Sequence, residues 1–469
     1  MSKRAWATGG GIFLAIAIYA VSRYAGLTDS QSWTSAVTAL CAVWWIFEAV
    51  PIPTTSLVPF AVLPLVGVLT EKQVASAYGH PLVLLFLGGF ILSRAAEASG
   101  AHRRIAHTIL RRVGSDSGPR IVLAFMLATA LCSMWISNTA TALMMLPVAL
   151  AVLELDTSGK LSTPLMLGIA YAASIGGLAT PIGTPPNGVF LAIYETITGV
   201  VIPFHQWMLL ALPVTLIMFV AAWLLLTFRL RNIPPVDIRI SGRWTTAQRR
   251  VLAVFAVTAL AWITRQFPWG GWSYWLGAES AGDSTVALLA AVSLFLIPTG
   301  QHPGERLLDW ESAVKIPWGI LLLFGGGIAI ATAFESSGLS IVIGQALAGI
   351  HQWPPVAIVA VVCLVVTFLT EVTSNTATAN VLLPVLGATA KSADFDPALL
   401  MIPAALSASC AFMLPVATPP NAVVFGSGRV RIADMARYGL VLNLIGVVVI
   451  TLVCWLLVPI VFGVTPPGH

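Results

Sequence analysis

One five-residue phrase occurs twice, and it limits what this chain can fold into more than any other feature. Ser137-Asn138-Thr139-Ala140-Thr141 returns as Ser374-Asn375-Thr376-Ala377-Thr378. Each copy is embedded in apolar sequence and is followed by a proline pair. These pairs are Gly183-Thr184-Pro185-Pro186-Asn187 and Ala417-Thr418-Pro419-Pro420-Asn421. Upstream, Phe86-Leu87-Gly88-Gly89 with Glu97 and Gly100 matches Phe324-Gly325-Gly326-Gly327 with Glu335 and Gly338. Matched positions are offset by 238 residues at the glycines, 237 at Ser-Asn-Thr and 234 at the proline pair. Two halves therefore share one plan with almost no gaps. Corresponding interruptions in two hydrophobic halves point to a transporter with its binding site near the bilayer midplane.

The solvent is set by composition. Hydrophobic residues make up 58% of the chain and charged residues 9%, far below the roughly 25% charge of soluble domains. The mean hydropathy is +0.90, and apolar stretches of about 20 residues recur along the chain. The net charge of +5 carries no nucleic-acid signal, because the basic residues fall in short loops between apolar runs. Cys41, Cys132, Cys363, Cys410 and Cys454 all sit inside apolar runs; an odd number without metal-ligand spacing argues for packing rather than disulfides. The start, Met1 to Arg4 followed by an apolar run, resembles a signal peptide. The run continues to about Leu27 without a convincing cleavage site, so it reads as an uncleaved first helix.

The predicted fold is an all-α polytopic membrane protein of about 11 transmembrane helices plus two re-entrant hairpins. Spans are expected near 9–27, 34–50, 54–70, 80–99, 163–196, 205–228, 250–266, 284–298, 316–335, 398–426 and 438–462. The 163–196 span breaks at Thr180-Pro181 and Thr184-Pro185-Pro186, and the 398–426 span at Pro415 and Thr418-Pro419-Pro420. Segments 119–154 and 355–390 each carry a Ser-Asn-Thr between two arms too short to span comfortably, which fits a hairpin that enters and leaves by one side. Residues 101–114 differ: Ile105, Ile109, Leu110 and Val113 share one helical face and Arg103, Arg104, Arg111 and Arg112 the other, the pattern of a helix lying in the interface. The resulting division is an extra helix in 1–30, a first repeat in 31–232 and a second in 233–469.

Five spans and one hairpin per repeat make an odd count, so the second repeat is inverted relative to the first. With a cytoplasmic amino terminus and the carboxyl terminus outside, only Arg23, Lys72, Arg265 and Lys391 of the 24 Lys and Arg residues fall outside. The positive-inside rule asks for that asymmetry in a cell (inner) membrane protein.

A proline pair in a helix removes backbone bonds and pushes the preceding residue out of helical geometry. The freed carbonyls are ligands for a small cation, and the restarting helix offers N–H groups and a positive dipole end to an anion. Ser-Asn-Thr adds hydroxyl and amide groups of both kinds, and no Lys or Arg lies near either copy. Singly, such residues are commonly packing or interhelical glue; duplication at matched offsets weighs against that. The paired glycines read better as close helix contacts than as ligands. Glu371, one turn before the second triplet, is either a proton site, a support for the site, or an acid reaching the wet outer face.

The pairing of Ser-Asn-Thr with Thr-Pro-Pro-Asn in both halves resembles the divalent anion/sodium symporter family, across nearly the whole chain. The resemblance implies a homodimer, a static scaffold with a moving transport domain, and an elevator mechanism driven by Na⁺. It implies one sodium site from Ser133, Ser137, Asn138 and the backbone near Gly183, and an inverted partner from Thr370, Ser374, Asn375 and the backbone near Ala417. Substrate carboxylates would meet Asn138, Thr139, Asn375 and Thr376, with Thr184, Pro185, Thr418 and Pro419 lining the site. Both triplets end in threonine, as in dicarboxylate-preferring members, which makes succinate-like substrates the expectation. Ala417 stands where the first half has Gly183, so the two cation sites need not be equivalent. A sodium-independent exchanger and a sulfate or citrate carrier are the alternatives within the fold. An intramembrane hydrolase would need a nucleophile–base pair or a metal cluster, and neither is evident; a channel needs no inverted hairpins.

Overall fold

The computed structural model describes residues 3–114, 116–156, 158–230, 244–267, 269–346, 353–392 and 395–464. Among these residues the regular elements are all α-helices. The first-half series begins with α1 (Lys3–Tyr24), packed on α2 (Asp29–Ile46). A capping box starts α2: Thr28 accepts from the Gln31 N–H while the Gln31 side chain reaches back to the Thr28 N–H. The span expected over 54–70 is instead two pieces, α3 (Ile52–Thr55) and α4 (Val58–Leu65). Pro53 and Pro59 sit in their first turns, where a missing N–H costs nothing, so these prolines restart helices rather than kink one. Next come α5 (Glu71–Tyr78) and α6 (Pro81–Ala98).

Gly100, at φ 69°, turns the chain into α7 (Ala101–Val113). As expected, Leu110 is buried and Ile105, Ile109 and Val113 are partly buried against the core, while Arg103, Arg111 and Arg112 are exposed. The hairpin arms are α8 (Gly118–Ser133) and α9 (Asn138–Leu155); the broken span is α10 (Ser162–Leu178) and α11 (Pro185–Thr198), and α12 (Phe204–Thr227) follows.

The second half runs in the same order. Its elements are α13 (Thr246–Ile263), α14 (Gly271–Trp275), α15 (Asp283–Leu296), α16 (Trp310–Ala313), α17 (Trp318–Ser337) and α18 (Leu339–Ala346). After these come the hairpin arms α19 (Pro355–Leu369) and α20 (Asn375–Ser392), the broken pair α21 (Ala398–Ser407) and α22 (Pro419–Gly426), and α23 (Ile432–Phe462). Gly338, at φ 72°, turns the chain into α18 as Gly100 does into α7. The sequence reading anticipated α7 but not α18, because Leu339–Ala346 carries no basic stripe. Between α12 and α13, residues 231–243 lie outside the described residues.

Seven helices among the described residues are long and apolar enough to cross a membrane, and the broken spans and hairpin arms supply shorter apolar ones. Two of the shorter helices form the centre. Every residue of α10 from Pro164 to Leu178, and all of α21, is buried, as a helix apolar all round must be. Glycines let neighbours approach them. A Cβ on Gly176 would stand 2.5 Å from Ala130 O of α8, and one on Gly88 2.7 Å from the Ala287 backbone of α15. A Cβ on Gly439 of α23 would overlap the Phe412 backbone. The five thiols are free and buried.

These contacts are with backbone, which cannot rotate away. We expect Gly176→Ala and Gly439→Ala each to cost about 1–3 kcal/mol by overpacking, read as a lower thermal midpoint in detergent. Gly426→Ala, with nothing within 4 Å of the new methyl, should leave that midpoint unchanged.

Candidate substrate and ion site

Four helices begin at one cavity of about 870 Å³. The hairpins leave short tips between α8 and α9 and between α19 and α20, so Asn138 and Asn375 open α9 and α20. The proline pairs open α11 and α22, with Thr184 and Thr418 at the N-caps. Prolines at those first positions suit a terminus, since the lost N–H had no intrahelical partner. The cavity is lined by Ser137, Asn138, Thr139, Gly183, Thr184 and Pro185 from the first half. From the second come Ser374, Asn375, Thr376, Ala417, Thr418 and Pro419. Both tips and both breaks thus meet at one place, with four positive dipole ends converging on it.

Ser133 and Thr370 stand behind this lining, fully buried, and each ties a hairpin to a broken helix. Ser133 Oγ is 2.6 Å from the Asn138 side-chain amide and 2.7 Å from Ala173 O. One hydroxyl proton cannot serve two acceptors, so Ser133 donates to the carbonyl and accepts from the Asn138 amide nitrogen. So oriented, that nitrogen also donates to Ala173 O at 3.3 Å and Gly183 O at 3.2 Å. In the second half Thr370 Oγ1 is 2.7 Å from Asn375 Oδ1 and 2.9 Å from Ala408 O. Thr370 Oγ1, Asn375 Oδ1 and Ala408 O thus lie together, with one hydroxyl proton among them.

The freed carbonyls of each break are gathered by the asparagine of its Pro-Pro-Asn. Asn187 Nδ2 donates to Gly177 O (3.1 Å), Leu178 O (3.3 Å) and Thr180 O (2.8 Å). Asn421 Nδ2 donates to Ala411 O (3.1 Å) and Leu414 O (3.0 Å). Both are fully buried. The two breaks touch where Thr184 Oγ1 lies 3.3 Å from Ser409 Oγ.

The halves differ in two respects. Gly177 and Gly183 are packed so closely that a Cβ on either would meet the other's backbone or the Asn138 amide, whereas the second break carries Ala417 at the position matched to Gly183 and is built around Glu371. This carboxylate accepts from Phe412 N (2.7 Å), Met413 N (2.9 Å), Leu414 N (3.1 Å) and Asn443 Nδ2 (2.7 Å). It is buried, so of the three readings open in the sequence the wet outer face is excluded.

The other wall of the cavity comes from residues that the Ser-Asn-Thr and Pro-Pro-Asn motifs did not include. Phe47 and Glu48 follow α2, Phe90 and Ser93 are in α6, Pro317 and Ile320 flank the start of α17, and Trp135 is in the first tip. Phe90 and Ser93 lie along the half of α6 that leads into α7. Among the described residues, Glu48 is the one ionisable residue of the lining, held at φ 45°, and no Lys or Arg lines it. Only tertiary packing brings this wall here, and the positive φ of Glu48, uncommon for a residue with a side chain, is visible only in the structure.

A polytopic helical protein with paired hairpins and paired broken helices around a midplane cavity is a secondary transporter, not an enzyme. The chain belongs to the sodium:sulfate symporter family: the model of that family's transmembrane region matches residues 2–463. It is 40% identical over 461 residues to the sodium-dependent dicarboxylate transporter SdcS of Staphylococcus saprophyticus, covering 93% of this chain and 88% of that protein. It is 41% identical over 454 residues to SdcS of Staphylococcus aureus, covering 92% and 86%. Among solved structures, the Alcanivorax borkumensis YdaH transporter superposes with a TM-score of 0.59 at 16% identity, covering 86% of this chain and 89% of that one. The Neisseria gonorrhoeae MtrF structure gives 0.59 at 14% identity, covering 84% and 83%. These two share the fold.

Replacing either gathering asparagine leaves several buried carbonyls without a donor, at about 1–3 kcal/mol each. Asn187→Leu and Asn421→Leu should therefore lower the thermal midpoint and abolish uptake together. A variant that kept wild-type uptake would show that the breaks hold their shape without the amide.

Proposed function

We propose that this protein is a sodium-coupled symporter of C4-dicarboxylates, succinate-like in size and charge, moving them into the cell by an elevator mechanism. The observation that carries this reading is the single cavity where two Ser-Asn-Thr tips and two proline breaks meet without any basic side chain. Four helix N-termini suit a pair of carboxylates, and the hydroxyl, amide and carbonyl oxygens beside them suit sodium. The sodium-dependent dicarboxylate transporters named above support the substrate class.

In this reading the first sodium is held by Ser133, Ser137, Asn138 and the Gly183 carbonyl, the second by Thr370, Ser374, Asn375 and the Ala417 carbonyl. Asn138, Thr139, Asn375 and Thr376 take the carboxylates, and Thr184, Pro185, Thr418 and Pro419 close the sides. The hairpins with α10–α12 and α21–α23 form the moving body; α1–α6 and α13–α17 form the scaffold, paired as a homodimer. The amino terminus and α7 lie on the cytoplasmic side, and the cavity, lined by the half of α6 that leads into α7, faces inward. On the opposite side Lys391 of α20 pairs with Glu335 of α17 at 3.4 Å, and His80 beside α6 stands 3.7 Å from Glu195 of α11. Those contacts join body to scaffold in the inward state.

The deciding experiment is uptake of labelled succinate into proteoliposomes with and without an inward Na⁺ gradient. Uptake equal in Na⁺ and choline would reject symport and favour a sodium-independent exchanger. Asn138→Ala and Asn375→Ala each remove a group shared by ion and substrate, and each should reduce Na⁺-driven uptake by at least about 100-fold, two shared contacts at roughly tenfold apiece, in a protein that still purifies folded.

Without a basic side chain, the substrate's charge is balanced by cations and helix ends, so succinate and sodium must strengthen each other's binding by the same factor. Succinate affinity measured by calorimetry should rise steeply with Na⁺. Equal affinity at zero and saturating Na⁺ would refute this account of the site.

Translation of the body across the membrane separates contacts that local gating leaves in place. Cysteine pairs between the first hairpin and α6 should crosslink in different combinations in inward and outward states. One pair that locks equally in both, with transport intact, would leave a fixed site with moving gates.

A further inference from the structure

The two breaks, matched in sequence, are unequal in structure, and the difference traces to one side chain. The Ser133–Ala173 and Thr370–Ala408 hydrogen bonds are counterparts, which sets the local offset at 235 residues. On that alignment α10 ends at Leu178, whereas α21 ends at Ser407, the counterpart of Ala172. The second break thus opens six residues earlier (178 less 172). A helix that continued would bond Phe412, Met413 and Leu414 N–H to the carbonyls of Ala408, Ser409 and Cys410. All three N–H groups go to Glu371 instead, with Asn443 Nδ2 as a fourth donor. Consecutive N–H groups around an anion form a nest, and the anion here is part of the chain. In the first half the matched residue is Met134, which cannot accept these bonds, and α10 continues.

We propose that Glu371 is a positioning residue that makes the second break the tighter of the two sodium sites; this rests on the sodium-coupled reading above. By capturing three N–H groups it unwinds the end of α21 and releases the carbonyls of 408–410. Of these, Ala408 O already belongs to the oxygen cluster with Thr370 Oγ1 and Asn375 Oδ1. Glu371 also places a full negative charge one residue from Thr370, where the first half has a thioether. Both carboxylate oxygens act as acceptors for the freed backbone. Extra carbonyl oxygens and an extra negative charge act in the same direction on a cation.

The test is sodium binding to the purified full-length protein without substrate, read as the rise in thermal midpoint as NaCl replaces choline chloride at constant ionic strength. For the wild type a sodium-specific rise is expected; none at all would overturn the sodium-coupled reading itself. Glu371→Gln should shift the half-point of the rise to about tenfold higher Na⁺, the order expected for losing one nearby partly screened charge. A Glu371→Gln protein that is less stable at every salt but keeps the wild-type half-point would show a purely structural role and overturn the inference alone. Because that variant risks failing to fold, the sites are also ranked without touching Glu371. Ser133→Ala should leave the low-concentration phase of the rise in place, whereas Thr370→Ala should remove it. Loss of that phase in Ser133→Ala and its retention in Thr370→Ala would reverse the ranking and reject the proposal.

Discussion

A backbone freed from helical bonding at membrane depth has to find partners within the protein, and the rest of this structure depends on how that is done. The carbonyls at residues 177–180 and at 411 lie in buried residues, and each one left bare costs on the order of 1–3 kcal/mol. Asn187 and Asn421 meet this need from within their own breaks, with one amide nitrogen serving two or three carbonyls. Because the gaps are repaired locally, α10 and α21 can be buried on all sides and still be interrupted. The interruption then leaves polar backbone available at the core of an otherwise apolar bundle. Glycines at 176 and 439 let the neighbouring helices close around it.

The electrostatic consequence is a site whose positive potential comes from helix ends rather than side chains. Each N-terminus is worth roughly half a charge, and four of them border the cavity. An arginine would hold an anion whether or not a cation were present. Partial charges paired with clustered oxygens make anion and cation depend on each other. The lone ionisable residue of the lining, Glu48, is an acid and sits on the opposite wall, so it adds nothing to anion retention. In the proposed reading, affinity for a dianion is left to the hairpin tips and breaks.

How far this was legible in the sequence differs by residue. The doubled Ser-Asn-Thr and Pro-Pro-Asn phrases located the lining, because a proline pair has a fixed backbone consequence wherever it falls in a helix. The glycine runs read correctly as close contacts: a Cβ on Gly88 would press on Ala287, and one on Gly326 would come within 2.9 Å of Ser56 O. The α7 helix was legible from its arginine stripe, whereas α18 presents Leu-Ser-Ile-Val-Ile-Gly-Gln-Ala, with no charge to give the face away. The span expected at 54–70 was misjudged because Pro53 and Pro59 start helices instead of bending one. Hidden altogether were relations between distant residues. Nothing local tells that Glu371 meets Asn443, 72 residues on, or that Glu48 and Pro317 share a wall with the hairpin tips. Such facts belong to packing, and a pattern of period 3.6 carries no information about them.

The sodium-coupled reading also accounts for why loading should be all or none. A body that carries this site past lipid and scaffold pays for any unbalanced charge that it takes out of water. Dianion alone leaves two negative charges against partial dipoles, and sodium alone leaves positive charge among the oxygens. The empty body keeps Glu371 matched by four donors, and the fully loaded body pairs cations with carboxylates. Each half-loaded form carries more unbalanced charge than these two, so the empty and fully loaded forms are the ones with the lower barrier to movement. Coupling then follows from desolvation, without a dedicated gate to sense occupancy. The absence of a basic residue from the lining is what makes this work: a fixed positive charge there would burden the empty form on its return.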